Sequence, residues 1–322
     1  MINTDNSKSD IKLVLFGAGE YGKAMLYCDI GISPSYFVDN NRDVSVVKKW
    51  DASYDVKSPK VLMSEDKSKL RIIITSDMPA YSDIEEQLGE MGLAECLLSP
   101  IKKCFICKSE FELFLPYGKP ARGNALCRTC KSLERHRFLW FYFENNETFM
   151  PRDDNTQIKL LHFAPERALF NVLHNNTAID YYPVDVDPGR KDIREVVDIT
   201  NMPYPDDFFN VIICNHVLEH IIDEKKALSE LKRVLAKKGK GFITVPANDK
   251  NETTIENLDY TPEERLKYYG QADHVRVYGR DFPTRLSIGL GLDVEIVCAK
   301  DIFTAEQLLK YGIAIWEKIY VY

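Results

Sequence analysis

The stretch from Asp198 to Pro246, DITNMPYPDDFFNVIICNHVLEHIIDEKKALSELKRVLAKKGKGFITVP, determines the fold of this chain. Phe209 to Cys214 (FNVIIC) is a short apolar run, which predicts a strand buried on both faces of a parallel sheet. The apolar residues that follow recur at helical spacing, and Lys237-Lys238-Gly239 is expected to close that helix. Gly241 to Val245 then returns as a strand. Ligands of such a βαβ unit bind at the carboxyl ends of its strands, so a site is expected at Asn215 to His220.

The pattern D-I-T-x-x-P-Y-P-D-D-x-F within this stretch, followed by V-L-E-H and L-x-x-E-L-x-R-V-L-x-x-x-G, resembles the core of class I S-adenosylmethionine-dependent methyltransferases, the type 11 group. The resemblance implies a seven-stranded, Rossmann-like α/β domain that binds S-adenosylmethionine. The alternative is another nucleotide-binding α/β domain with a similar unit. Fold resemblance does not identify the substrate, which needs separate evidence.

Composition restricts the partners and the compartment. The 322 residues suffice for two or three domains, and an apolar fraction of 45% can fill their cores. A net charge of −7 argues against nucleic acid and membrane surfaces as partners, because both attract basic proteins. The N-terminus has no secretory signal pattern, and no apolar run reaches membrane-spanning length. We therefore expect a cytoplasmic protein without membrane insertion, whereas its oligomeric state stays open.

Residues 1–100 carry a dinucleotide-binding pattern. Ile11 to Phe16 is predicted to be a strand that runs into a glycine-rich turn and a helix, and Asp39 follows the next strand. Further predicted elements are the strand Arg71 to Thr75, the helix Asp83 to Met91 and the strand Glu95 to Leu98. This part resembles the small Rossmann-like, nucleotide-sugar-binding domains of bacterial glycan-modifying enzymes. The candidate nucleotide site is Gly17, Gly19, Gly22 and Asp39. The glycines could instead serve only close packing of helix on strand.

Residues 101–135 contain two Cys-x-x-Cys pairs, whose spacing predicts a zinc ribbon. A redox pair needs only one Cys-x-x-Cys and would leave the second unexplained. Four thiolates fill the tetrahedral coordination of Zn²⁺, so the metal is expected to be structural. The predicted ligands are Cys104, Cys107, Cys127 and Cys130.

Residues 136–322 are predicted to form the methyltransferase domain. The strand Ile158 to Phe163 ends in LHFAPE, where most of the family has a glycine-rich loop, although one zinc-bearing subgroup resembles this chain here. The resemblance implies that Asp185 binds the ribose hydroxyls and that Asp198 binds the adenine amine. The complete set of implied cofactor contacts is His162, Phe163, Ala164, Glu166, Asp185, Asp198, Ile199, Asn215 and His216.

The expected reaction is attack by a substrate hydroxyl or amine on the sulfonium methyl group. His220 and His274 are the candidates for the base that accepts the proton. Arg276 and Tyr278 are predicted to bind the acceptor, a small molecule that we expect to be a sugar, a nucleotide-sugar or a related glycan precursor, held between the zinc ribbon and the loop of His274. The alternative is a non-catalytic nucleotide-binding scaffold with a degenerate methyltransferase fold, which the glycine-free loop favours. A third interpretation, an oxidoreductase that uses the N-terminal dinucleotide pattern, is disfavoured because the chain has no motif for hydride transfer.

Overall fold

The computed structural model describes residues 11–27, 33–41, 45–49, 52–98, 102–119, 121–145 and 157–322. Its elements in the first half are β1 Lys12–Phe16, α1 Glu20–Tyr27, β2 Tyr36–Val38, β3 Val46–Lys49, β4 Ala52–Lys57, β5 Leu70–Ile74, α2 Ala80–Glu90, β6 Lys102–Lys103, β7 Glu110–Phe111, β8 Leu115–Tyr117, β9 Arg122–Leu126 and α3 Glu134–Glu144. Those in the second half are β10 Ile158–Phe163, α4 Arg167–His174, β11 Ile179–Asp185, β12 Glu195–Val196, β13 Phe209–Asn215, α5 Glu224–Val234, β14 Leu235–Thr244, β15 Ile255–Glu256, α6 Pro262–Tyr269, β16 Arg276–Val277, α7 Phe282–Leu290, β17 Glu295–Cys298, α8 Ala299–Ile302, α9 Ala305–Tyr311 and β18 Lys318–Val321.

The described residues divide into two compact units. One lies within Met1–Arg137 and Ala305–Ile313, and the other within Phe138–Thr304 and Ala314–Tyr322. At this level the cysteine-bearing segment is not separate from the N-terminal sheet. Among the described residues, none of the helices has the length and apolar character needed to span a lipid bilayer.

The first unit contains a five-stranded sheet in the order β3-β4-β2-β1-β5. β1 lies between β2 and β5 and pairs with both in parallel. Its apolar residues are buried on both faces, as in a strand covered from two sides. The predicted strand Glu95 to Leu98 is wrong: a 3-10 turn, Ala94–Cys96, forms there, and only Leu97 bridges the sheet.

The same unit contains two short antiparallel hairpins, β6 with β7 and β8 with β9. The cysteine turns have the same form, because each closes a Cys-x-x-Cys-Lys-Ser sequence. Lys108 N–H donates to the Cys104 carbonyl, and Lys131 N–H donates to the Cys127 carbonyl. Both lysines have the left-handed backbone, with φ of 61° and 63°. The two turns are therefore one structural repeat.

The second unit is built on a seven-stranded sheet in the order β12-β11-β10-β13-β14-β18-β17. The five neighbouring strands β12, β11, β10, β13 and β14 pair in parallel, whereas β18 runs antiparallel to both β14 and β17. β10 matches its predicted bounds, and β13 extends its predicted run by one residue to Asn215.

Helix α5 ends earlier than its sequence pattern indicates. Asp223 caps its start by accepting the Lys226 N–H. The predicted end at Lys237 to Gly239 is wrong, because the helix stops at Val234 and Leu235 already pairs with Phe209 in the sheet. An irregular register follows in β14 before the regular pairing resumes at Val211. Tertiary pairing therefore overrides the local helical signal of the lysines.

Candidate functional site

The carboxyl ends of β10, β11 and β13 are level with one another. Phe163 at the end of β10 pairs with Val184 on one side and with Cys214 on the other. The chain leaves all three strands at the same edge of the sheet, where doubly wound folds bind ligands. A cavity of about 460 Å³ lies there.

Six of the nine residues expected to contact the cofactor line this cavity, together with the candidate base His220. The six are Phe163, Ala164, Asp185, Asp198, Ile199 and His216. Val217 also lines the cavity and lies within the Asn215 to His220 stretch where a site was expected. The lining residues that sequence reasoning missed are mostly apolar: Val186, Val197, Ile221 and Asp273. Their position directly beside the predicted contacts was the available signal.

Asp185 ends β11 and is held by two donors. Its Oδ1 accepts the Asp187 N–H at 3.0 Å, and its Oδ2 accepts from Arg190 at 2.9 Å. Each carboxylate oxygen has two lone pairs, so this carboxylate can still accept hydroxyl groups. Arg190 also donates to the Pro165 carbonyl, which connects the end of β11 to the loop after β10.

Asp198 and Ile199 follow β12. Oδ1 of Asp198 accepts both the backbone N–H and the hydroxyl of Thr200, each at 2.8 Å, and this fixes the side chain in a short turn. The next residue, Ile199, is buried and packs in the core of the unit. The pair therefore presents an anchored carboxylate beside an apolar surface.

Two cavity residues have a backbone that favours glycine. Ala164 has φ of 46° and His216 has φ of 51°. Their N–H groups donate to Val184 and Thr244 carbonyls at 2.8 Å, so the neighbouring strands hold both turns in place. An L-residue in this conformation costs about 1–2 kcal/mol. The loop after β10 thus makes a left-handed turn without a glycine.

Three expected cofactor contacts lie outside the cavity lining. His162 is fully buried, with ring nitrogens 2.9 Å from the Tyr181 hydroxyl and 3.1 Å from Oε2 of Glu166. Asn215 is also buried, and its Oδ1 accepts the Thr244 hydroxyl. The third is Glu166, the partner of His162. These side chains are engaged within the protein, and their direct contact with the cofactor stays a prediction.

Glu219, His220 and His274 form a cluster at one side of the cavity. The rings of His220 and His274 meet edge to face, with centroids 4.7 Å apart. His274 is buried, and burial lowers its pKa below the usual value, an effect that the Glu219 carboxylate partly offsets. A neutral imidazole at pH 7 has a nitrogen lone pair available for a proton or a metal ion.

Arg276 and Tyr278 do not have the role expected from the sequence. Arg276 is fully buried, and its five N–H groups donate to the carbonyls of Leu218, Ile221 and Ile222 and to Glu256. Tyr278 is also fully buried and donates to Glu224 at 2.6 Å. No donor of Arg276 remains for an acceptor. Instead, Arg276 fixes the turn that carries Glu219 and His220.

Residues 123–294 match a known family described as a methyltransferase domain. This match covers more than half of the chain. The chain belongs to the methyltransferase-domain family.

Among curated proteins, this chain is similar to the uncharacterized protein MJ0638 of Methanocaldococcus jannaschii, with 36% identity over 59 residues. That alignment spans 18% of this chain and 26% of the relative, so it covers about a quarter of the relative's length. Among solved structures, phosphoethanolamine N-methyltransferase 2 of Haemonchus contortus in complex with S-adenosyl-L-methionine is 17% identical, with a TM-score of 0.37 over 52% of this chain and 40% of the other. The YcgJ protein of Bacillus subtilis is 15% identical, with a TM-score of 0.36 over 58% of this chain and 96% of the other.

The four cysteines predicted to bind zinc converge in one place. The Sγ atoms of Cys104 and Cys130 are 3.6 Å apart, and those of Cys107 and Cys127 are 3.7 Å apart. Four thiolates around one zinc at about 2.3 Å have sulfur atoms about 3.8 Å from one another. All four ligand atoms lie within 4.8 Å of each other. The donor set therefore fits a tetrahedral zinc ion.

A second cavity, of about 340 Å³, lies at the carboxyl end of β1 in the first unit. Gly17 and Gly22 serve packing: Gly17 has φ of 118°, and a Cβ on Gly22 would lie 1.9 Å from the Gly17 carbonyl oxygen. A Cβ on Gly19 would meet no atom within 4 Å, which leaves space for a ligand there. Asp39 accepts the Ala18 N–H at 2.5 Å.

The charge around this second cavity opposes its predicted ligand. Its lining includes four carboxylates: Glu20, Asp39, Asp77 and Asp83. Like charges repel one another, so these carboxylates disfavour an anion such as the pyrophosphate of a nucleotide in the cavity. The nucleotide site stays a prediction, and the packing role of Gly17 and Gly22 explains two of its three glycines.

Proposed function

We propose that this chain is an S-adenosylmethionine-dependent methyltransferase that methylates an oxygen or nitrogen of a sugar or a glycan-related small molecule. The observation that carries the proposal is the cavity at the ends of β10, β11 and β13, with Asp185 and Asp198 in its lining. A carboxylate accepts bonds from hydroxyl and amine donors, which the ribose and adenine of the cofactor supply. S-Adenosylmethionine would bring the methyl group as a sulfonium.

The chain's own residues would orient the reactants. Alignment of the nucleophile with the methyl carbon and the sulfur requires rigid walls, and the turn of His220 is held rigid by Arg276. His220 lines the cavity, and the ring of His274 contacts the ring of His220. His220 would receive the proton of the attacking group directly, and His274 is the second candidate base beside it.

An exposed aromatic surface supports a sugar as the acceptor. Tyr268 is 53% exposed and stacks on Tyr260 with ring centroids 5.0 Å apart. Flat aromatic rings with hydroxyl groups are suited to sugar rings. Tyr278, which the sequence suggested for acceptor binding, is buried, whereas Tyr268 is exposed and would supply an aromatic face in its place.

The test is incubation with S-adenosylmethionine and a panel of sugars and nucleotide-sugars, followed by mass spectrometry. One panel member should gain a methyl group in place of a hydrogen, while S-adenosylhomocysteine accumulates in equal amount. If the protein methylates another class of acceptor and none of the sugars, the proposed substrate class is rejected, whereas the proposed methyl transfer is retained. Binding of S-adenosylmethionine without any turnover would favour the scaffold alternative, which the strained, glycine-free turn at Ala164 also favours.

A further inference from the structure

The side chain of Glu219 is in an environment that ordinary packing does not explain. It is fully buried, and neither carboxylate oxygen has a hydrogen-bond partner among the described residues. Nδ1 of His216 approaches Oε1 to 3.3 Å without hydrogen-bonding geometry. A buried charge is normally paired, hydrogen-bonded or bound to a metal ion, and among the described residues this carboxylate has the His216 ring nearby but no hydrogen bond.

Two imidazoles stand beside that carboxylate. Glu219, His220 and His274 each offer one ligand atom, and these three atoms lie within 4.8 Å of one another. Ligand atoms at about 2.1 Å from a tetrahedral metal ion are about 3.4 Å from one another, so the cluster needs to contract by at most about 1.4 Å to bind one. The two rings are nearly perpendicular, at 85°.

The surroundings of the cluster are also those of a metal site. Asp273 Oδ2 lies 3.2 Å from Nδ1 of His220, which leaves Nε2 of that ring for coordination. A metal-binding histidine usually donates its other N–H to a carboxylate or a carbonyl in this way. The turn that carries the cluster is fixed from behind, since Arg276 binds the Leu218 and Ile221 carbonyls and Val275 N–H donates to the Glu219 carbonyl.

We propose that Glu219, His220 and His274 bind one divalent transition-metal ion at the edge of the cofactor cavity. Two imidazoles and one carboxylate are a common ligand set for such ions and leave coordination positions open. His220 and Asp273 both line the cavity, so an open position would face the acceptor.

This site deepens the proposed methyltransferase function and rests on it. The metal binds the acceptor through a hydroxyl oxygen and lowers the pKa of that hydroxyl, so its proton leaves to water. The oxygen then forms a bond to the methyl carbon while the carbon–sulfur bond breaks and its electron pair returns to sulfur. The products are a methyl ether, S-adenosylhomocysteine and one proton. The site therefore selects oxygen over nitrogen as the methylated atom, and it makes the two histidines ligands in place of bases.

The test uses the full chain with its cysteine site already loaded with zinc. The protein is dialysed against Mn²⁺ or, separately, Zn²⁺, and bound metal is measured by electron paramagnetic resonance for Mn²⁺ and by elemental analysis for Zn²⁺. Variants Glu219→Gln and His274→Gln are compared with His174→Gln, a change at an exposed histidine of the same unit. Calorimetry with S-adenosylmethionine, run on every variant, checks that the cofactor cavity is intact.

The wild type and His174→Gln should bind one ion per chain beyond the cysteine-bound zinc. Glu219→Gln and His274→Gln should lose at least tenfold in metal affinity with unchanged cofactor affinity, and a chelator should stop methylation of hydroxyl acceptors. The proposal is overturned if the wild type binds neither Mn²⁺ nor a second zinc, or if the two variants bind metal as the wild type does. Failure of cofactor binding in the wild type would instead reject the proposed function, so the two failures are distinguishable.

Discussion

At the residue scale, Asp185 is the most direct probe of the cofactor position. Replacing it with Asn removes a charged acceptor from a ribose hydroxyl, which should weaken S-adenosylmethionine binding by about 1.5–3 kcal/mol. Arg190 keeps its bonds to Asp192 and to the Pro165 carbonyl, so the loop should stay in place. Calorimetry measures the affinity. Asp187→Asn is the matched control, because Asp187 is a nearby exposed carboxylate outside the cavity lining and should leave the affinity unchanged.

The same reasoning applies to Asp198→Asn, whose side chain also lines the cavity. Wild-type affinity in both the Asp185 and the Asp198 variants would show that the cofactor does not bind at these strand ends.

Replacing Arg276 tests whether this residue stabilises the fold or binds the acceptor, the role predicted from the sequence. Arg276→Met removes a fully buried guanidinium with its bonds to the carbonyls of Leu218, Ile221 and Ile222 and to Glu256, and the free energy of unfolding should fall by about 3–5 kcal/mol. Chemical denaturation measures this loss. Arg280→Met is the control, since Arg280 is exposed and pairs only with exposed Glu252, so its effect should stay within about 0.5 kcal/mol. If the Arg276→Met protein is as stable as the wild type but has lost turnover, the result would support the original prediction that Arg276 contacts the acceptor.

The residue scale also shows where sequence reasoning stops. The family resemblance pointed to Asp185 and Asp198, and both line the cavity, whereas their contacts with the cofactor stay a prediction. Arg276 was misassigned because its partners are backbone carbonyls of the 218–222 turn, about 55 residues away in the chain. No local pattern reports such a contact. An arginine in a polar loop and a fully buried arginine have the same sequence signature.

At the element scale, the cysteine turns account for one metal ion. We predict one zinc per chain from elemental analysis of the purified protein, in addition to any ion at Glu219. Serine at any of the four cysteine positions should release this zinc and partly unfold the segment, which has too little apolar core to fold alone. Cys298→Ser is the control, because Cys298 lies in β17, outside the cluster, and should keep the zinc.

Absence of zinc from wild-type protein prepared without chelator would contradict the cysteine prediction. The Cys-x-x-Cys spacing predicts the cluster, whereas the matching backbones of the two Cys-x-x-Cys-Lys-Ser turns are visible only in the structure.

The glycines after β1 separate packing from ligand binding. Gly22→Ala should destabilise the first unit strongly, because its Cβ would lie 1.9 Å from the Gly17 carbonyl oxygen. Gly19→Ala should leave the stability nearly unchanged, since its Cβ meets no atom within 4 Å. Thermal unfolding compares the two variants directly. Equal stability of both would mean that α1 approaches β1 less closely than described.

At the scale of the whole molecule, the arrangement of the sheet is the most predictable feature. The βαβ pattern from Phe209 onward foretold parallel strands and the edge at which the cavity lies. The bounds of β14 were not predictable, because pairing of Leu235 with Phe209 ends the helix before its local signals do. The segment Ala305–Ile313 belongs to the first unit although it is distant in sequence from the rest of that unit. No local sequence pattern predicts this, because it depends on contacts between distant parts of the chain.

The central claim is that the cavity beside Asp185 and Asp198 binds S-adenosylmethionine. Calorimetric titration of S-adenosylmethionine into the purified 322-residue chain tests this most directly. The account predicts saturable binding of one molecule per chain, with displacement by S-adenosylhomocysteine. A titration without saturable heat, together with no change in thermal stability at high S-adenosylmethionine concentration, would contradict it.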